Sequence, residues 1–463
     1  MRLIFLLLVG LVMADVADAQ RRTKRQRVIR GVHGEVLNRN GDFETAVGGN
    51  ASSSLTGMRV STGLLPKGVY EIALSKAVTG SGWEERFLVG VPTNPIVPAP
   101  CLVVFHGYGE EHTHMVSRTS YFQEAMARGW VVVAPLGAHK YNYAIGYAQE
   151  NVLSALTWAA TYLMLDPDRF YAVGFSMGGG MAASFAARHL DPNGPQFAAV
   201  AVHTGSCSVR DVYWNSNDQA LFEHPQMFGS NPDARPFRYQ RASTIDLDTF
   251  TNTVDRGTDM VRNLVHAPIY HFAALNDPVP YLVNETEKNH EQALLHGGDT
   301  TLVISDDSVH KWSTLDEAVI LDWFEPKTHQ VPSDDVFTRV LADRTGHWYG
   351  IHVRGVSATA FTPFRWKTML SLNRMVIDEV ENADRVSFDP SEHGLDKGSA
   401  VELLFQNVDG LAVDLVLEGY SQAPSDVWRG GGSTGSWSYD PVAETVTLFE
   451  TNGANWPKWT VFP

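Results

Sequence analysis

The hydrophobic positions of the middle of the chain fall into short continuous runs separated by helix-period stretches. Val69 to Leu74, Arg86 to Val91, Cys101 to Phe105, Trp130 to Ala134, Phe170 to Val173, Phe197 to Val202, Ile269 to Ala274 and Leu302 to Ser305 read as strands. The run at 101–105 is apolar and largely β-branched, as in a strand covered on both faces. Between the strands, Ser120 to Arg128, Gln149 to Leu163, Met181 to His189, Asn284 to His296 and Leu315 to Phe324 read as helices, and Asp166 to Arg169 as a turn. Such alternation predicts an α/β domain, a doubly wound and mostly parallel sheet with helices on both faces.

After Phe324 the pattern changes to alternation with period two. Val401 to Phe405, Val413 to Leu417 and Thr445 to Phe449 predict short strands between Gly, Asn and Pro turns, hence a smaller, β-rich, sandwich-like second domain. Its Trp428, Trp437, Trp456 and Trp459 suit either a core or a carbohydrate-binding face. The predicted organisation is a signal peptide over 1–19, a basic leader and flexible linker over 20–68, a catalytic domain over 69–326, a linker over 327–335 and the β-rich domain over 336–463. One gap between strands, 205–265, is too long for an ordinary connection. It carries Tyr213, Trp214, Phe222, Phe228, Phe237 and Tyr239, and reads as a lid, a substrate wall or a structural elaboration that packs its own aromatics.

The amino terminus adds an address. Arg2, the apolar run Leu3 to Met13 and the small-x-small triplet Ala17-Asp18-Ala19 predict a cleaved export signal, so a secreted or periplasmic protein with no integral membrane segment afterwards. A formal net charge of -16 argues against nucleic acid and against anionic membrane as main partners. The two cysteines, Cys101 and Cys207, fall near opposite edges of the predicted sheet and are expected as unpaired thiols.

Candidate chemistry centres on Gly174-Phe175-Ser176-Met177-Gly178, placed between a predicted strand and a predicted helix. A strand turning sharply into a helix exposes the central serine, and the flanking glycines avoid a collision where the two elements cross. Ser176 is the expected nucleophile. It needs a base, and the base needs an acid to orient it. Asp277, after the strand 269–274, and His310, after the strand 302–305, arrive in the order Ser, acid, His, each at a strand end. Asp306 and Asp307 are the competing acids. The backbone amides of Tyr108 and Met177 are the expected oxyanion donors, and His106 is expected to be structural. Trp312 and Trp214 are candidate substrate-wall residues, each also compatible with plain packing. His112 and His114 match no helical zinc motif and read as part of a solvated loop, so no metal is expected.

Taken together, His106-Gly107, Asp166-Pro-Asp-Arg169 running into Gly174–Gly178, Asn276-Asp277-x-Val-Pro280 and His310-x-Trp312 resemble the α/β-hydrolase superfamily. Within it they resemble the secreted polyhydroxybutyrate depolymerase and feruloyl esterase group, over about Glu85 to Pro326. Pro236-Phe-Arg-Tyr239-x-Arg-Ala-Ser243 also resembles the catalytic domain of prolyl oligopeptidase-like enzymes, and Asn373-Arg-Met-Val-Ile377 loosely resembles β-domains appended to exported bacterial hydrolases. The resemblance implies a serine hydrolase passing through an acyl-enzyme without cofactor, acting on an aryl or acyl ester, polymeric substrates included. The alternatives are an exported prolyl oligopeptidase-like peptidase and a non-catalytic binding module. A propeller of the kind many prolyl oligopeptidases carry has no counterpart here, which favours esterase.

Overall fold

The computed structural model describes residues 36–37, 68–451 and 456–463; the predicted signal peptide, basic leader and most of the predicted linker lie outside them. Nine strands form the main sheet: β1 (Val36–Leu37), β2 (Gly68–Leu74), β3 (Glu85–Val91), β4 (Ala99–Phe105), β5 (Val131–Pro135), β6 (Leu165–Phe175), β7 (Ala199–His203), β10 (Ile269–Ala274) and β11 (Thr300–Ser305). The small hairpin β8 (Leu247–Asp248) and β9 (Thr253–Val254) stands apart. Strand order in the sheet is β1-β2-β3-β5-β4-β6-β7-β10-β11. The pairs from β1 to β5 are antiparallel, whereas those from β5 through β4, β6, β7 and β10 to β11 are parallel.

Each parallel step needs a crossover, supplied by helices. These are α1 (Tyr121–Ala127), α2 (Gly146–Tyr162), α3 (Met177–Arg188), α4 (Val209–Asn215), α5 (Gln219–Glu223), α6 (Pro236–Gln240) and α7 (Pro280–Leu295); α8 (Glu317–Phe324) follows the last strand, β11. Side chains of α2 and α3 share one core cluster with alternate residues of the central strands, and those of α1 and α8 share another with the remaining ones. Being covered on both sides, β4 is buried at every position. The outermost strand, β11, is not: Val303 and Ile304 remain exposed.

Four local expectations need correction. Val36 and Leu37, expected in a linker, pair with Leu74 and Ala73. The 166–169 turn is absorbed into the start of β6, where Asp166 accepts from Arg169 Nε at 2.8 Å and the register against β4 shifts. α7 begins four residues earlier than expected because Pro280 occupies its first turn, where a missing N–H costs nothing. His112 is buried with Nε2 3.1 Å from Glu71, not solvated.

The carboxyl-terminal part is β-rich, as expected, and forms two sheets of seven and six strands. Trp459 is core, while Trp428 and Trp456 are exposed. The first strand of this part, Thr338–Ala342, is laced to the main domain: Asn263 Nδ2 donates to Ala187 O and Leu341 O, and Leu341 N donates back to Asn263 Oδ1 at 2.8 Å. Beside it, Arg188, Arg241 and Arg344 converge on the buried Asp343 at 2.8, 2.9 and 3.1 Å. Burial would raise that carboxyl, but the three guanidiniums override it and hold it at about 2. Cys101 and Cys207 are buried and unpaired. No helix of the described residues is long and apolar enough to cross a membrane.

Candidate active site

Sequential parallel strands place their carboxyl ends along one edge, and the loops after β6, β10 and β11 meet there. β6 ends at Phe175 and α3 starts at Met177, leaving Ser176 alone to make the turn. Its φ of 57° and ψ of −122° lie where a side chain is strained, a cost of about 1–3 kcal/mol. The surroundings impose this conformation. Ser176 N donates to His203 O at 2.9 Å, and Ser176 O accepts from Gly179 N and Ser206 N, both at 3.0 Å.

The glycines have the steric role read from the sequence, and two more join them. A Cβ on Gly174 would strike the Gly178 carbonyl, and one on Gly178 would strike the carbonyls of Phe105 and His106. A Cβ on Gly180 would strike the Ser206 carbonyl, and one on Gly179 would come within 2.8 Å of Gly205 Cα, so the whole first turn of α3 lies against neighbouring backbone.

Asp277 and His310 come together as expected: His310 Nδ1 lies 2.8 Å from Asp277 Oδ2. The other carboxylate oxygen accepts from Val279 N at 2.8 Å, so the acid is aimed from both sides. Leu275 N donates to Ser305 O and Asn276 N to Asp307 O, lacing the acid loop to the histidine loop. Asp306 and Asp307 are exposed, which removes them as the acid. The His310 ring rests on Phe175, the residue before the nucleophile, at 4.3 Å. That packing holds His310 against the end of β6, the residue before Ser176.

Met177 follows the serine in the chain, and Tyr108 comes just after β4, whose last residue Phe105 pairs with Gly174 of β6. Around them Gly107 N is taken by Glu110 Oε2, Gly109 N by Lys140 O and Glu110 N by Gly107 O. Among the described residues, the Tyr108 and Met177 amides have no acceptor. Such a pair can receive the negative charge that develops on a carbonyl oxygen under attack. His106 is structural, its ring nitrogens each 2.9 Å from a carbonyl, of Gly107 and of Leu136.

Trp312 is not a substrate wall. It is 4% exposed and packs on Phe175, His203 and Tyr121, while its Nε1 donates to Glu110 Oε2 at 3.1 Å. Trp214 lies in the 205–265 insertion, half-buried against Tyr213 and Phe250. The insertion does pack its own aromatics: Tyr213, Phe222, Phe228 and Tyr239 form a cluster that also takes in Tyr143 and Met177.

The sequence reading missed two supporting residues. Glu110 ties together Gly107, Trp312 and Arg118, and its only signal was a carboxylate three residues after His106-Gly107. His203 is buried with Nε2 2.8 Å from Thr314 Oγ1; burial first, then the nearby His310, lowers it to about 3, so it stays neutral beside the base. Nothing in its local sequence marked it. Among the described residues, no group of three or more His, Cys, Asp or Glu is placed to hold a metal ion.

The strand order, the serine turn and the Ser, Asp, His succession along the sheet edge are those of an α/β-hydrolase fold. No protein-family model matches the chain, and no curated protein matches it. Among solved structures it is similar to an S-formylglutathione hydrolase from Agrobacterium tumefaciens (15% identity, 55% of this chain and 94% of that one, TM-score 0.41). It is similar also to a ferulic acid esterase (17%, 56% and 98%, 0.41) and to the acylaminoacyl peptidase of Pyrococcus horikoshii (13%, 58% and 49%, 0.40). Likenesses this remote leave the site to be read from its own geometry.

Proposed function

We propose that the chain is a secreted serine carboxylic-ester hydrolase that works through an acyl-enzyme on aryl or acyl esters. Feruloyl or acetyl esters of plant polysaccharide and polyesters are the substrates in view. The observation that carries the reading is the His310–Asp277 pair at 2.8 Å beside a strained Ser176 and two free amides. Asp277 keeps the Nδ1 proton on His310 and leaves Nε2 free to accept the Ser176 proton. Ser176 Oγ then adds to the ester carbonyl, and the oxyanion settles on the Tyr108 and Met177 amides. Collapse expels the alcohol, which takes its proton from His310, and water attacks the acyl-enzyme by the same route. The rings of Tyr108 and Tyr141, with centroids 4.9 Å apart, form an aromatic face backed by the buried Tyr143 at 5.7 Å from Tyr108, which suits an aromatic acyl group. Export rests on Arg2, the Leu3–Met13 run and Ala17-x-Ala19.

The test is a rate panel on chain lacking residues 1–19: p-nitrophenyl esters, methyl ferulate, an aromatic polyester and a prolyl anilide, each beside Ser176→Ala. Ester turnover lost in the variant supports the reading. Turnover of the anilide alone makes it a peptidase, and polysaccharide binding without turnover makes it a binding module.

A further inference from the structure

The oxyanion loop is held on one side by its own domain. Glu110 Oε2 accepts from Gly107 N at 2.9 Å, and Gly109 N donates to Lys140 O at 2.8 Å. The loop containing Lys140 is itself strained, with Ala138, Tyr143 and Ala144 at φ of 70°, 42° and 55°. The buried Glu85 holds it in that shape by accepting from the amides of Leu136, Gly137 and Ala138 at 2.8–3.0 Å. Tyr108, between these anchors, has no backbone partner, and its side chain is 38% exposed, so burial does not fix it.

What does fix it comes from the insertion. The Tyr108 hydroxyl donates to Asp218 Oδ2 at 2.7 Å, joining residues 110 apart. Its ring leans on Tyr143, which packs on Phe222 of α5 at 4.8 Å. The second donor is tied to the same body: the Met177 side chain, 1% exposed, lies in the cluster formed by Val212, Tyr213 and Phe222. Both oxyanion amides therefore belong to residues whose side chains are anchored in the insertion.

We infer that the 205–265 insertion is the scaffold of the oxyanion hole rather than a detachable cover, and that Asp218 is a positioning residue acting through Tyr108. With the phenol held at its far end, rotation of the Gly107–Tyr108 peptide is restricted, and the Tyr108 amide is aimed before substrate arrives. The inference rests on the hydrolase reading.

The experiment compares wild type, Tyr108→Phe, Asp218→Ala, Asp218→Ser and Asp218→Asn in p-nitrophenyl acetate hydrolysis and in binding of an aryl trifluoromethyl ketone. The Ser176 hydroxyl adds across the ketone carbonyl, its proton passes to His310, and the resulting oxyanion probes the hole directly. Tyr108→Phe and Asp218→Ala are expected to lower kcat and ketone affinity in parallel by about tenfold to a hundredfold, less than outright loss of a donor, with KM within about twofold. Asp218→Asn, whose amide oxygen still accepts, should recover most of both; Asp218→Ser reports on the position if alanine does not fold. Raised KM with unchanged ketone affinity would make Asp218 a cleft-lining residue and overturn the inference, as would variants that match wild type or an asparagine variant no better than alanine. A wild type that neither hydrolyses the ester nor binds the ketone overturns the hydrolase reading itself.

Discussion

Trp312 Nε1 donates to Glu110 Oε2 at 3.1 Å, joining the loop that carries His310 to the loop that carries the Tyr108 amide. The same oxygen accepts from Gly107 N, and the Trp312 ring supports Phe175, on which His310 rests. The loops of His310 and Tyr108 are thus referred to one buried contact. Trp312→Phe keeps an aromatic ring, though a smaller one, and loses the bond, and is expected to cost about 1–2 kcal/mol in urea unfolding together with a fall in kcat. Trp312→Ala should cost about 3–5 kcal/mol, because it also opens a cavity under Phe175.

Asp277 is 5% exposed and accepts from both His310 and Val279 N. Asp277→Asn preserves shape but presents an amide that favours the wrong imidazole tautomer. Its kcat on p-nitrophenyl acetate should fall by about 10⁴-fold, with a melting temperature close to wild type. Retention of more than a tenth of wild-type kcat would remove Asp277 from the triad.

Gly178 admits no side chain, since a Cβ would meet the carbonyls of Phe105 and His106, which belong to backbone that cannot step aside. Gly178→Ala should destabilise the chain by about 3 kcal/mol or more, or leave it insoluble. Gly146, whose Cβ would meet nothing within 4 Å, is the control, and its alanine variant should unfold at a denaturant midpoint near that of wild type.

Asp343 links pH to the junction between the main domain and the β-rich part. Its carboxyl is held at about 2, below the ~3.9 of an unfolded chain, so the folded state binds this proton less readily. The stability it contributes is present above about pH 4 and is lost as pH falls through about 2. Asp343→Asn should flatten that part of the melting curve against pH. Asp343→Ala leaves Arg188 buried without its counter-charge and should cost about 3–5 kcal/mol at neutral pH.

Local rules made much of this molecule readable from the chain. Strand and helix periods located the alternating elements of the main domain, because each is set by how side chains repeat along a few residues. The serine turn was readable because Gly174 and Gly178 answer a steric demand within a single strand-to-helix connection. Asp277 and His310 were readable because parallel strands bring their carboxyl ends to one edge, so position after a strand becomes position in the site.

What the sequence could not settle depends on which surfaces meet. Trp312, open in the sequence as either wall or packing, proved to be buried support once Phe175, His203 and Glu110 closed around it. The insertion, readable as a lid, a substrate wall or an elaboration, acquired its place when Tyr108 met Asp218 and Met177 joined the cluster of Phe222. The junction at Asp343 joins it to an arginine 155 residues away. Residue type and spacing along the chain determine turns, periods and the order of catalytic groups; contacts across one or two hundred residues exist only after packing has chosen neighbours, and there the tertiary structure alone decides what a side chain does.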